Sequence, residues 1–168
     1  MNQGGPDKYA TEIVRVFPDY AGSVIWFSDP MPYSETELSS DLVGRLTSWE
    51  AHYYAALTDN FEWRSLDTLH TFSADGLELA REVSNEIGRE FSVEYRSFEN
   101  TAAVAHLRSE EPASNPAARA AFSARAQRAR EEWAVTQVRI AATPPGAAGG
   151  WYARGPSGEI FRPDRTKQ

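Results

Sequence analysis

The chain has 168 residues, no cysteine and a net charge of −7, the size of one domain whose core needs no metal or disulfide support. The absence of thiols excludes disulfides, thiolate zinc, iron–sulfur clusters and a cysteine nucleophile. Charge is uneven: residues 1–99 carry 18 acidic and 7 basic groups, net −11, and residues 100–168 carry 6 and 10, net +4, a field that disfavours nucleic acid and anionic membrane and favours a cationic partner.

In chain order, TEIVRVF and SVIWF, joined by PDYAG, predict a β-hairpin. The two prolines of SDPMPYSETE argue for a linker without regular structure. LSSDLVGRLTSWEAHYYAAL predicts a helix with Ser39 or Ser40 as N-cap and Asp41 in its first turn. Leu42, Leu46, Trp49, Tyr53 and Leu57 recur at spacings of four and three on one face. TDNFEWRSLDTLHTF is expected as a loop or a short irregular helix. A second helix is expected from about Ala74 to Ile87, opening after Ser73 and closing at Gly88. REFSVEYRSF predicts a strand that alternates Phe91, Val93 and Tyr95, and ENTAAVAHLRSEEPAS a weak helix and a loop. Asn115 caps and Pro116 opens an Ala/Arg-rich third helix to about Trp133. AVTQVRIAA, rich in β-branched residues, is expected as a strand unless the helix runs on into it. GWYARGPSGEIFRP is expected as a terminal hairpin.

Hairpins at both ends argue against a doubly wound parallel sheet. The expected fold is a single α+β domain over 11–163, with a flexible N-terminus over 1–10 and a flexible tail over 164–168. Its sheet is expected to be mixed and mostly antiparallel, with about three helices packed on one face. No apolar run approaches the roughly 20 residues that span a bilayer. The opening MNQGGPDKYATE lacks the regions of a secretory signal, so a cytoplasmic location is expected. Fifteen Arg against 2 Lys, with abundant Ala, suggests a GC-rich bacterial genome.

Few residues invite a catalytic reading. Glu50 and His52 lie about 160° apart around their helix and cannot converge on one ion. Neither His70, three residues after Asp67, nor His106 has metal-ligand spacing, so no metal site and no cofactor is expected. The glycine clusters match no phosphate-binding loop, and there is no G-x-S-x-G elbow. The second helix is more informative: Asp75, Glu78, Glu82 and Glu86, spaced three, four and four, line one face. Read as a contact surface, that stripe extends to Glu50, Tyr54, Asp59, Glu62 and Trp63, with Glu90 adjoining, and presents acid and aromatics to a basic partner. The plainer reading is a solvated face. Arg119, Arg125, Arg128 and Arg130 on the third helix are expected to pair with the acidic half or to face solvent.

The run SVIWFSDP, LSSDLVGRLTSWEAHYYAAL and SADGLELAREVSNEIGREFSVEY, over residues 23–96, resembles small acidic actinobacterial proteins of the toxin-immunity type. The resemblance implies a bacterial immunity or antitoxin-like binding protein and brings no catalytic residues. The leading expectation is therefore a non-enzymatic protein that neutralises a basic protein partner, such as a toxin domain, through its acidic surface, with no nucleic acid or membrane partner. Two alternatives stand beside it. One is a small enzyme or ligand-binding domain with a pocket between sheet and helices, using Glu50, His52, His70 or Tyr95. The other is a subunit of a larger assembly.

Overall fold

The structure, a computed structural model, describes residues 7–19, 21–99, 103–142, 153–154 and 160–161. Its elements are α1 (Lys8–Thr11), β1 (Ile13–Val16), β2 (Ile25–Trp26), α2 (Tyr33–Thr36), α3 (Ser40–Ala56), α4 (Leu66–Ile87), β3 (Ser92–Arg96), β4 (Val104–Leu107), α5 (Pro116–Ala142), β5 (Ala153–Arg154) and β6 (Ile160–Phe161). By packing, the chain divides into two compact units, Met1–Glu131 and Glu132–Gln168, and α5 runs from the first into the second. The expected α+β class holds.

The first unit is built on a sheet of order β2-β1-β3-β4. Its outer pairs are antiparallel and its central pair, β1 with β3, is parallel. A parallel pair needs a long crossover, which α3 and α4 supply. Across that pair Val14 faces Val93 and Val16 faces Tyr95. All four are buried in one core with Leu42, Leu46 and Trp49 of α3, Phe72 and Val83 of α4, and Phe122 of α5. Because side chains alternate along a strand, Arg15, Glu94 and His106 fall on the opposite face, which those helices leave uncovered.

α4 seats on the sheet through its only glycine. A Cβ built on Gly76 would lie 2.5 Å from Trp49 Cζ2 and 2.5 Å from the Tyr95 hydroxyl. The two rings are fixed from both ends. Trp49 stacks on Phe72 at 4.6 Å and donates from Nε1 to the Phe72 carbonyl at 3.0 Å. Tyr95 donates from its hydroxyl to the Ser73 carbonyl at 2.9 Å. A second aromatic group, Phe27, Phe91 and Phe122, joins the β2 end to α5.

Several elements depart from the sequence-based expectation. The supposed linker holds the single turn α2, closed by Glu37 in the left-handed region at φ 53°. α4 starts at Leu66 rather than near Ala74, because Ser65, not Ser73, is the N-cap and accepts from Thr68 N at 3.1 Å. Ser73 lies in mid-helix, buried against the core. Residues 104–107, expected within a weak helix and loop, form β4, since their backbone completes the β3 ladder. The Asn115 cap and Pro116 start of α5 stand as expected, with Asn115 Oδ1 accepting from Ala117 N and Ala118 N. The helix nevertheless runs through AVTQVRIAA to Ala142. Val135, Val138 and Ile140 are exposed there, and the helix penalty of β-branched residues, only tenths of a kcal/mol each, is too small to stop a well-capped helix. The terminal hairpin is present as β5 paired antiparallel with β6; the rest of that segment and the expected tail lie outside the described residues. Among the described residues no helix is long and apolar enough to cross a membrane.

Substituting Gly76→Ala tests this packing. Ala favours the helix by about 1 kcal/mol, but the added methyl meets two pinned rings, and overpacking of that kind costs about 1–3 kcal/mol. The expected outcome in urea unfolding is a lower midpoint. An unchanged or higher midpoint would show that the rings give way freely.

Candidate functional site

The acidic stripe of α4 forms one wall of a cleft of about 330 Å³ between α3 and α4. Asp75, Glu78 and Glu82 face Arg45 and His52 of α3 across it. Arg45 Nη1 donates to Glu82 at 2.6 Å, Nη2 donates to the second Glu82 oxygen, and Nε donates to Asp41 at 2.9 Å. These bonds from Arg45 hold the Glu82 carboxyl below its ordinary range against an opposing effect of burial, and Glu82 chiefly raises the Arg45 guanidinium above its own. Glu78 pairs with Arg81 on its own helix. Asp75 is exposed, with no hydrogen bond or ion pair among the described residues.

Glu86 stands in the same stripe and does something else. Its carboxylate accepts from Ser39 N at 2.9 Å, from the Ser39 hydroxyl, and from Asn115 Nδ2 at 3.0 Å. Ser39 is the N-cap of α3, and Asn115 caps α5 through its other amide atom. One carboxylate thus ties two helix starts to α4, at the ends where helix dipoles favour negative charge.

The loop between α3 and α4 carries the feature that sequence reasoning missed. Leu57 bridges to Trp63, Thr58 N donates to Glu62 O at 2.8 Å, and Phe61 N donates to Thr58 O at 2.9 Å. Arg64 closes the loop, its backbone donating to Ala56 O and its Nε to Ala55 O, each at 3.0 Å. At the tip Phe61 is held at φ 60° and is 74% exposed. A bulky residue in the left-handed region is an outlier that costs on the order of 1–3 kcal/mol. Nothing in the residue type signals it. Trp63 points the other way, half-buried among Tyr53, Phe72 and Phe98 at ring distances of 5.9, 5.2 and 5.7 Å.

The remaining candidates lie apart. Asp59 and Glu62 are exposed on the loop, and Tyr54 is 38% exposed with its ring edge-on to Tyr53. Glu50 is half-buried and does not line the cleft; burial, then Asp19, raises its carboxyl above the ordinary range. His52 does line it, so the two sit on separate flanks as the helical geometry requires. His70 and Tyr95 share a hollow of about 220 Å³ that includes neither Glu50 nor His52, so those four groups do not converge. Among the described residues no three His, Cys, Asp or Glu are placed to hold a metal. Three of the α5 arginines pair with the acidic half, Arg119 with Glu90, Arg125 with Asp29 and Arg128 with Glu35, while Arg130 donates to Gln127 Oε1 on its own helix.

A family model described as Serratia CdiI immunity protein-like matches residues 12–98, which is 87 of the 168 residues. The matched span runs from β1 past β3 and contains α3, α4 and the loop that carries Phe61. No curated protein matches the chain.

Two substitutions separate structural from available acids. Glu86→Ala removes the acceptor shared by Ser39 and Asn115, and a loss of about 1–3 kcal/mol is expected in urea unfolding; an unchanged midpoint would mean that water replaces it. Glu50→Gln is expected to act in the opposite sense. A carboxyl whose pKa is raised in the fold weakens the fold once pH passes that raised value, so the variant should match or exceed the parent at pH 7. Its advantage should vanish near and below the ordinary carboxylate pKa of about 4.3. A lower midpoint at pH 7 would contradict this.

Proposed function

The chain belongs to the Serratia CdiI immunity protein-like family, and on that footing we propose that it binds and neutralises a basic toxin domain in the cytoplasm. The family supplies the toxin-immunity class. The finer reading, an acidic surface that meets a basic face, draws its support from the charge and from one residue. Phe61 is a large apolar side chain presented to solvent by a strained, tightly bonded loop. Strain of this kind persists where the surroundings impose it, and it clusters at functional sites. Aromatic anchors of this type dominate interface energetics when they enter a desolvated pocket.

The mechanism is occlusion. Phe61 inserts into the toxin, and Tyr54, Asp59 and Glu62 surround it, while Asp75 and Glu78 on α4 extend the negative field. Glu82 and Glu86 add charge to that field but are committed to Arg45, Ser39 and Asn115. Trp63 supports the loop from beneath, and Glu50 contributes at most from the edge. A negative face of this kind speeds encounter with a cationic partner and imitates the anion that the partner would otherwise engage.

The test is binding of the purified chain to the product of the adjacent gene, taken as the candidate toxin. Phe61→Ala removes an exposed side chain, so folding should be unaffected while affinity falls tenfold or more, about 1.4 kcal/mol, mainly through faster dissociation. Asp59→Lys with Glu62→Lys should slow association and flatten its salt dependence. Unaltered affinity in the Phe61 variant, with unaltered salt dependence in the charge variant, would contradict the proposed surface.

A further inference from the structure

The face of the sheet away from α3 and α4 holds a pocket, and its strand rows carry more cations than carboxylates. Register places Trp26, Arg15, Glu94 and His106 in one row across all four strands. Arg96 and Val104 form the next row. Of these, Arg15, Glu94, His106, Arg96 and Val104, together with Tyr9, Phe17 and Phe98, line a pocket of about 560 Å³, within the range of small-molecule sites; Trp26 lies beside it, stacked on Phe17.

Arg15 lies over the Tyr9 ring at 5.4 Å and the Phe17 ring at 5.9 Å, and its Nη2 donates to the Phe27 carbonyl at 2.7 Å. Lys8 adds a further cation 5.6 Å from the Tyr9 ring. Arg96 is exposed and makes no ion pair or hydrogen bond among the described residues. The one anion of the two rows, Glu94, has a side chain only 11% exposed and meets His106 Nδ1 at 3.4 Å. Two donors on this face, Arg15 Nε and Trp26 Nε1, are shielded and find no acceptor among the described residues. The face therefore holds more cations and donors than carboxylates, together with the rings of Tyr9, Phe17, Trp26 and Phe98 and one recessed carboxylate.

We propose that this pocket binds a small planar aromatic anion with an N–H edge, the chemistry of a purine nucleotide. Its anionic group sits on Arg96 and the outer edge of Arg15, and its planar body rests against Tyr9, Phe17 and Phe98. Its N–H edge donates to Glu94. Glu94 and Arg96 are two residues apart on one strand, about 7 Å, so a single ligand reaches both. The site is separate from the Phe61 loop and does not depend on the immunity reading.

Titration of the full chain with AMP, GMP and inorganic phosphate, followed by calorimetry, tests this. Saturable binding of at least one nucleotide is expected below about 1 mM, with phosphate tenfold weaker or more. Arg96→Ala should weaken nucleotide binding about tenfold or more with an unchanged unfolding midpoint, and Glu94→Gln, which keeps the shape and removes the charge, should weaken it as well. No saturation by either nucleotide, equal binding of phosphate alone, or equal binding by both variants would overturn the proposal.

Discussion

Trp49, Gly76 and Tyr95 meet at the point where α3, α4 and β3 come together, and their contact sets the position of nearly everything else. A glycine inside a helix costs about 1 kcal/mol relative to alanine. Here its missing side chain admits two large rings that are buried and hydrogen-bonded, Trp49 to the Phe72 carbonyl and Tyr95 to the Ser73 carbonyl. Burial chiefly raises the Tyr95 hydroxyl well above the usual phenol range, because an ionised oxygen there would lose its water; the charges of Glu99 and Asp75 add to this and the bond to Ser73 opposes it. With α4 seated this way, Asp75 and Glu78 turn toward the α3 cleft and, among the described residues, the far face of the sheet is left open.

The acidic character of the chain resolves into two uses. Part of it is spent internally: Glu82 on Arg45, Glu86 on two helix starts, and Asp29, Glu35 and Glu90 on the arginines of α5. Exposed pairs of this kind contribute little stability each, but the Glu86 bonds act at caps, where backbone donors have no other partner. The remaining acids, among them Asp59, Glu62 and Asp75, are exposed and form no ion pair among the described residues, and the proposed toxin contact draws on these. A stripe read as uniform in sequence is thus divided in space.

What could be read from the sequence was local. Ser39 before an amphipathic run, Asn115 before Pro116, and the alternation of Phe91, Val93 and Tyr95 each act within a few residues, and each marks its element correctly. The start of α4 was hidden because Leu66 is 72% exposed and interrupts the apolar period that marks a helix. β4 was hidden because its pairing with β3 is a relation between segments, not a property of VAHL itself. Glu86 bonds Ser39 across 47 positions and Asn115 across 29, beyond any helical spacing rule. The left-handed Phe61 has no composition signal at all, and the row from Trp26 to His106 exists only once the register is known.

The central claim is that the face carrying Phe61 is the one a toxin covers. Hydrogen exchange of the chain, alone and bound to the toxin domain identified by that binding test, reads this directly. The account expects new protection over residues 57–64 and the adjoining end of α3, with β4 unchanged. Protection confined to the open face of the sheet, with 57–64 exchanging as in the free chain, would contradict it.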